Sequence, residues 1–238
     1  MCMDSINIQY FYLYGANLMF SIQKTDDATI VELLASTLRR DIAFGTLLPD
    51  QKLKIEELRR RYGGSNHSMR ETLRILSAEG LVEATAQRGF RVTSATEDDL
   101  RDILLVRIEI ERVALSRAIA LGDVAWEGRL IAAHHALQKA ESAVTSAPDD
   151  MTALQWDEAC RAFAYALIEA CDSPRLIKLH QKFFDQSRRF RLAQMREGKL
   201  NWANRKNRQK ALLDAVLERD EGAANVLLKQ DIEDELNT

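Results

Sequence analysis

A mainly α-helical chain with a small turn-rich module near its N-terminal end is predicted by three observations. Gly and Pro number only 10 and 3 among 238 residues, too few turn formers for a many-stranded sandwich or barrel. Beyond Thr96, apolar residues recur at three- and four-residue spacing, and the breaks at Gly122, Pro148, Pro174, Gly198 and Gly222 fall where helices stop and start. Hydrophobic residues make up 46% of the chain and the net charge is only −3, so there is material for a core and no charge excess that favours disorder. At about 150 residues per domain, this length suits one large or two small domains.

Taken in order, Ile6 to Phe20 is apolar and aromatic but follows an acidic residue. It is too short and interrupted to span a bilayer, and it lacks the basic start and small-residue cleavage site of a signal peptide. Residues 1–24 are read as a tail, with a start at Met19 as the alternative. From Asp27, Ile30, Leu33, Leu34, Leu38 and Ile42 share one helical face, and Gly45 stops the helix. A short helix over 55–62 ends at Gly63-Gly64, and another runs from Ser65 or Asn66 to about Ala78. Two short helices joined by a glycine turn form a helix-turn-helix. Gly80 closes the second, and residues 81–84 and 90–93 read as strands around the tip Gln87-Arg88-Gly89. A helix pair followed by a hairpin is a winged helix-turn-helix. Six helices follow, over 97–121, 124–144, 150–171, 174–197, 202–219 and 221–236. The expected organisation is a winged helix-turn-helix over 25–95 and an all-α bundle of about six helices over 96–238.

The charge distribution points the first module at nucleic acid. Residues 51–93 carry nine basic against five acidic side chains, a net of +4 on a chain whose total is −3. Each phosphate that such a module neutralises releases counterions. In the second helix Met69, Leu73 and Leu76 face inward, which puts Asn66, His67, Arg70 and Arg74 on the outer face, and Ser68 is counted with them as DNA-binding. Asn and Arg can make paired hydrogen bonds to adenine and guanine edges in the major groove. Arg88 and Gly89 at the wing tip allow close approach to phosphates or the minor groove. The plainer alternative is a solvated face of a small helical domain.

The run Tyr62-Gly63-Gly64-Ser65-Asn66-His67-Ser68-Met69-Arg70-Glu71-Thr72-Leu73, then Ala78-Glu79-Gly80-Leu81-Val82 and Arg88-Gly89-Phe90-Arg91-Val92, resembles the GntR family of regulators. The helical half, with 107–111, Phe163, 173–176 and 211–216, is similar to the FCD effector domain of the family's FadR branch. Asn66 stands where that family usually has Arg, and His67-Ser68 where it has Thr-Pro, so the resemblance implies the fold and not the operator sequence. The resemblance implies a cytoplasmic homodimer that binds a double-stranded operator, as a repressor, with its affinity set by a small effector such as a carboxylate.

Arg107 and Glu111 lie four apart on or beside the stripe of Leu100, Ile103, Leu104, Ile108, Leu115 and Ile119. A charged pair near a core face is costly unless paired or bound to something. It reads either as an internal ion pair or as a guanidinium fork for an anionic effector, which the resemblance favours. Arg189 is added as an effector contact, and Arg191 is weighed with it, a solvated face being the simpler reading of both. Many FCD domains bind a metal through an Asp or His and three further His residues. The matching positions here are Cys160, Ala164, Gln209 and Asp231, of which alanine cannot ligate and none is imidazole, so no metal and no cofactor are expected. The alternative function is a DNA-binding dimer whose helical half has lost both metal and effector sensing.

An enzyme is disfavoured. The four histidines, His67, His134, His135 and His180, form no HxxxH or HExxH pattern, and no paired Glu-x-x-His ligands exist for a bundle metal oxidase. Cys2, Cys160 and Cys171 are an odd count without a CxxC pair, as expected of a reducing compartment. No histidine adjoins Cys160 or Cys171 in sequence to activate a thiol.

Overall fold

The computed structural model describes residues 27–85 and 89–236. The tail over 1–24 and the wing-tip Arg88 therefore lie outside the described residues. The order is α1 (Asp27–Ala43), β1 (Lys52–Leu53), α2 (Ile55–Tyr62), α3 (Asn66–Glu79), β2 (Val82–Thr85), β3 (Gly89–Val92), α4 (Glu97–Leu121), α5 (Val124–Ser146), α6 (Asp150–Ile168), α7 (Pro174–Arg196), α8 (Trp202–Leu217) and α9 (Glu221–Glu233). The mainly α class and the winged helix-turn-helix followed by an all-α bundle are what the sequence predicts.

The first core joins Leu34, Leu38 and Ile42 of α1 to Leu58 of α2, Met69, Leu73 and Leu76 of α3, and Val82 and Val92 of the sheet. Gly64 separates α2 from α3 at φ +81°, where a Cβ would lie 2.9 Å from Ser68 Oγ and 3.0 Å from Leu34 Cδ1. That turn sets the angle between the two helices because only glycine fits it without strain. Ser65 then caps α3: its Oγ accepts from Ser68 N–H at 3.0 Å, and Ser68 Oγ accepts from Ser65 N–H at 2.8 Å. Such a reciprocal box satisfies two otherwise orphaned donors.

The sheet has three antiparallel strands in the order β1-β3-β2, with Lys52 opposite Arg91 and Val82 opposite Val92. Sequence reading expects only two strands. β1 is two residues long, too short to show alternation, and forms because β3 offers it a free edge.

The second core is built by α4 to α9, with α5 on α6, α8 on α9, and α4 against both α7 and α9. Trp126 and Trp156 are fully enclosed, and Trp126 Nε1 donates to the Ala166 carbonyl at 2.7 Å. α6 ends at Ile168, earlier than expected, because Glu169–Cys171 tightens into a 3₁₀ turn before Asp172 takes a left-handed φ of 51°. Ser173 and Pro174 then start α7. Among the described residues, no helix is long and apolar enough to cross a membrane.

Candidate nucleic-acid interface and internal cavity

Helix α3 has two unlike faces. Met69, Thr72, Leu73 and Leu76 are buried, whereas Asn66, His67, Arg70 and Arg74 are exposed on the other side. Arg59 of α2 reaches across the turn, donating from Nη1 to Asn66 Oδ1 at 3.1 Å and from Nε to the Gly64 carbonyl at 3.3 Å, which orients the Asn66 amide. Arg74 leans on Glu71 at 3.1 Å, and both stay open to solvent or substantially so. Gly89 opens β3 opposite Thr85, whose Oγ1 would lie 2.9 Å from an added Cβ.

Ser68 departs from the expected DNA-binding set. It is buried, and its hydroxyl is committed to the capping box with Ser65. At the third position of the helix it points back toward the chain entering α3, so a short hydroxyl side chain cannot also reach outward.

Inside the helical bundle, Arg107 of α4 and Arg191 of α7 converge. Arg107 Nε donates to Glu111 Oε1 at 2.9 Å, and its Nη1 donates to Glu235 Oε1 at 2.7 Å and to Ser187 Oγ at 3.2 Å. Arg191 donates to Asp157 Oδ1 at 2.7 Å and to the same Ser187 Oγ at 2.7 Å. Both guanidiniums lie over the Phe184 ring, 4.8 and 4.0 Å from its centre. Together with Arg205, Glu111, Cys160, Phe163, Gln209 and Glu235 they line a cavity of about 20 Å³, room for a water molecule or so.

The electrostatics follow from that packing. Burial pushes the Glu111 carboxyl up, but the Arg107 guanidinium and His180 outweigh it and bring it down to about 2. His180 Nδ1 lies 3.1 Å from Glu111 Oε1. Burial also disfavours the charged form of Arg107, and Glu111 and Glu235 more than offset it, raising that guanidinium above its ordinary range. Of the two sequence readings of Arg107 and Glu111, the structure shows the internal ion pair, and the pair also lines a cavity.

Arg189 is not at this cavity. It is half-buried on the opposite side of α7, where Nη1 donates to the Thr93 carbonyl at 2.9 Å and Nη2 to the Ser94 carbonyl. Its neighbour Gln186 donates to the Glu79 carbonyl at 2.8 Å. Both contacts tie α7 to the end of α3 and to the link between the two cores. Arg191, for which a solvated face is the simpler sequence reading, is instead 1% exposed. The reason is helical phase: 187 and 191 share the face toward α4 and α6, and 186 and 189 lie off it. Sequence reasoning also misses Arg205 and Glu235, which line the cavity, and Ser187, which bonds both arginines, because only long-range packing brings them together.

The four positions matching a family metal site do not fit a divalent cation. Cys160 Sγ lies 3.4 Å from Arg205 Nη2, and burial pushes its thiol up to about 12. Gln209, with its amide turned to suit its neighbours, donates to Glu141 at 3.2 Å and accepts from Arg205 Nε at 3.0 Å. Asp231 accepts from Arg208 Nε at 3.1 Å, and Ala164 offers no donor. A guanidinium already supplies positive charge among these positions, and it would repel a metal ion.

Comparison with known proteins agrees with this architecture. Residues 31–92 match the profile described as bacterial regulatory proteins, gntR family, and residues 102–234 match the FCD domain. The chain is 34% identical over 210 residues to the uncharacterized HTH-type transcriptional regulator BphR of Paraburkholderia xenovorans (strain LB400), covering 88% of this chain and 84% of that protein. It is 34% identical over 196 residues to the HTH-type transcriptional repressor GlaR of Escherichia coli (strain K12), covering 81% and 88% respectively. The solved structure of E. coli McbR/YncC superposes with a TM-score of 0.68 at 18% identity, over 87% of this chain and 95% of that one, which is a likeness of fold.

Proposed function

The chain belongs to the gntR family of bacterial regulatory proteins, as a DNA-binding transcriptional regulator with an FCD domain, and on that premise we propose that it is an acid-responsive repressor. The observation that carries DNA readout is the row Asn66, His67, Arg70 and Arg74, exposed on a helix whose other face seals the core. In this reading those side chains meet base edges in the major groove, and Arg88 and Gly89 bring the wing to the adjacent backbone. A homodimer places two such helices in successive grooves of a pseudo-palindromic operator. The name of the E. coli relative, a repressor, supports the sign. The protein acts in the cytoplasm, on nucleoid DNA.

The effector is a small carboxylate held by Arg107 in the helical domain, with Arg191 beside it in place of the expected Arg189. No metal takes part, since Arg205 provides the positive charge. Helix α7 carries the signal: Phe184 and Arg191 line the cavity, whereas Gln186 and Arg189 hold the winged module. A ligand that favours one placement of α7 shifts the population of DNA-competent heads. The small cavity and its self-paired arginines favour one second reading, a regulator whose helical half only dimerises.

The test is a fluorescence-anisotropy titration against duplexes tiling the upstream intergenic region, at two salt concentrations and beside a scrambled control. One duplex should bind roughly a thousandfold more tightly than the control, with steep weakening by salt. Equal binding to all duplexes, including the control, would sink specific readout. Repeating the titration with small organic acids separates the two readings of the helical half.

A further inference from the structure

Arg107 and Arg191 each have a carboxylate from the walls of the bundle, Glu111 for the first and Asp157 for the second. Glu235 is a third, and it comes from outside the helices, in the turn that follows α9. Its side chain is 7% exposed. Oε1 accepts from Arg107 at 2.7 Å, and Oε2 lies 3.7 Å from Arg191 Nη1, buried and without a hydrogen-bond partner. One carboxylate thus reaches between two guanidiniums and satisfies only one of them well.

The remaining space, about 20 Å³, admits no organic acid while that carboxylate is there. Moving it out would open room of carboxylate size and leave two guanidiniums aimed at the same point with one negative charge fewer around them. The turn is tied by Gln194, which donates to the Glu235 carbonyl, by backbone bonds from Asp234, Glu235 and Leu236 N–H to the Gln230, Ile232 and Glu233 carbonyls, by the Arg208–Asp234 pair, and by Leu236 packed on the core.

We infer that Glu235 is a resident carboxylate ligand, which occupies the anion position between Arg107 and Arg191 and which an incoming carboxylate must displace. The inference rests on the reading of the helical half as an acid sensor, and it specifies how that site is regulated. The class of ligand follows from its occupant, a carboxylate on a short flexible stem. Ligand entry then expels the turn after α9 and frees Gln194 of α7, the helix that also grips the winged module.

The experiment is thermal denaturation of the full chain, wild type, Glu235→Ala and Glu235→Gln, in sodium acetate against sodium chloride at equal ionic strength. Truncation to alanine removes the equivalent of acetate. Glu235→Ala should lose about 5–15 °C in Tm through the unpaired arginines, and acetate should restore more than half of the loss. Glu235→Gln keeps the shape and folds, and because its amide competes less well for guanidinium it should respond to acetate at a concentration about tenfold lower than wild type. Identical acetate responses in wild type and Glu235→Gln, or no gain over chloride in Glu235→Ala, overturn the inference. If acetate rescues Glu235→Ala but no organic acid shifts wild-type DNA binding, the resident ligand stands and the acid-sensor reading falls. If acids shift wild-type DNA binding and both variants respond as wild type does, the sensor reading stands and the resident ligand falls.

Discussion

The side-chain amide of Gln186 donates to the backbone carbonyl of Glu79 at 2.8 Å, so helix α7 of the FCD domain caps the last turn of α3. The carbonyls at a helix end have no intrahelical donor, and one of them is here served across a domain boundary. Gly80 makes the approach fit, since a Cβ there would lie 2.1 Å from Gln186 Nε2.

Gly80→Ala should therefore both strain the backbone at φ +81° and push Gln186 away. The expected loss is about 1–2 kcal/mol for the left-handed conformation alone, read from urea denaturation. Gln186→Ala should cost only about 1 kcal/mol in stability, and should reduce the effect of an acid on operator affinity by about fivefold. Anisotropy titrations with and without the acid check the second part.

Ser68→Ala tests the correction to the DNA-facing set. Loss of the capping hydroxyl should destabilise the winged module by about 0.5–2 kcal/mol. Operator affinity of the folded fraction, measured well below the unfolding midpoint, should stay within about twofold, because the side chain is buried.

Arg70→Ala behaves oppositely. Its side chain is exposed on α3 and has no role in the core, so melting temperature should be unchanged. Discrimination between operator and scrambled duplex should fall by about 1–3 kcal/mol if Arg70 reads a base edge. A uniform loss on both duplexes would assign it to phosphate instead.

Acid should find the Arg107 cluster. The Glu111 carboxyl is held down to about 2, below its ordinary value of 4.5, so the folded state favours its ionised form. Its contribution is fully present above pH 4.5 and is lost as the pH falls toward 2. The stability gap between wild type and Glu111→Gln should narrow across that window, as followed by urea denaturation at stepped pH. A constant gap would mean that Glu111 acts through packing alone.

Much of this protein was legible in one dimension. The spacing of Met69, Leu73 and Leu76, the glycine turn ahead of Ser65 and the run of stops through the helical half depend on neighbours three or four residues apart. Local geometry converts that spacing directly into faces and ends. The pairing of Arg107 with Glu111 belongs to the same class, being one helical turn long.

What only the tertiary structure decided lies at longer range. Ser187 is 80 residues from Arg107 and Glu235 is 128, and no periodicity links them. Arg189 and Arg191 differ by two positions, yet one grips the linker carbonyls and the other is sealed in the cavity, because α7 is packed on both sides. Even Ser68, local as its partner is, is not DNA-facing as its place in the motif suggests, since a hydroxyl at the third helical position serves the cap before it serves a ligand. Sequence alone determined a DNA-reading head on a helical bundle, through short-range patterns that each residue expresses independently. The tertiary fold decided which charges meet, because the identity of a buried ion's partner depends on helices brought together by the core and not on the order of residues along any one of them.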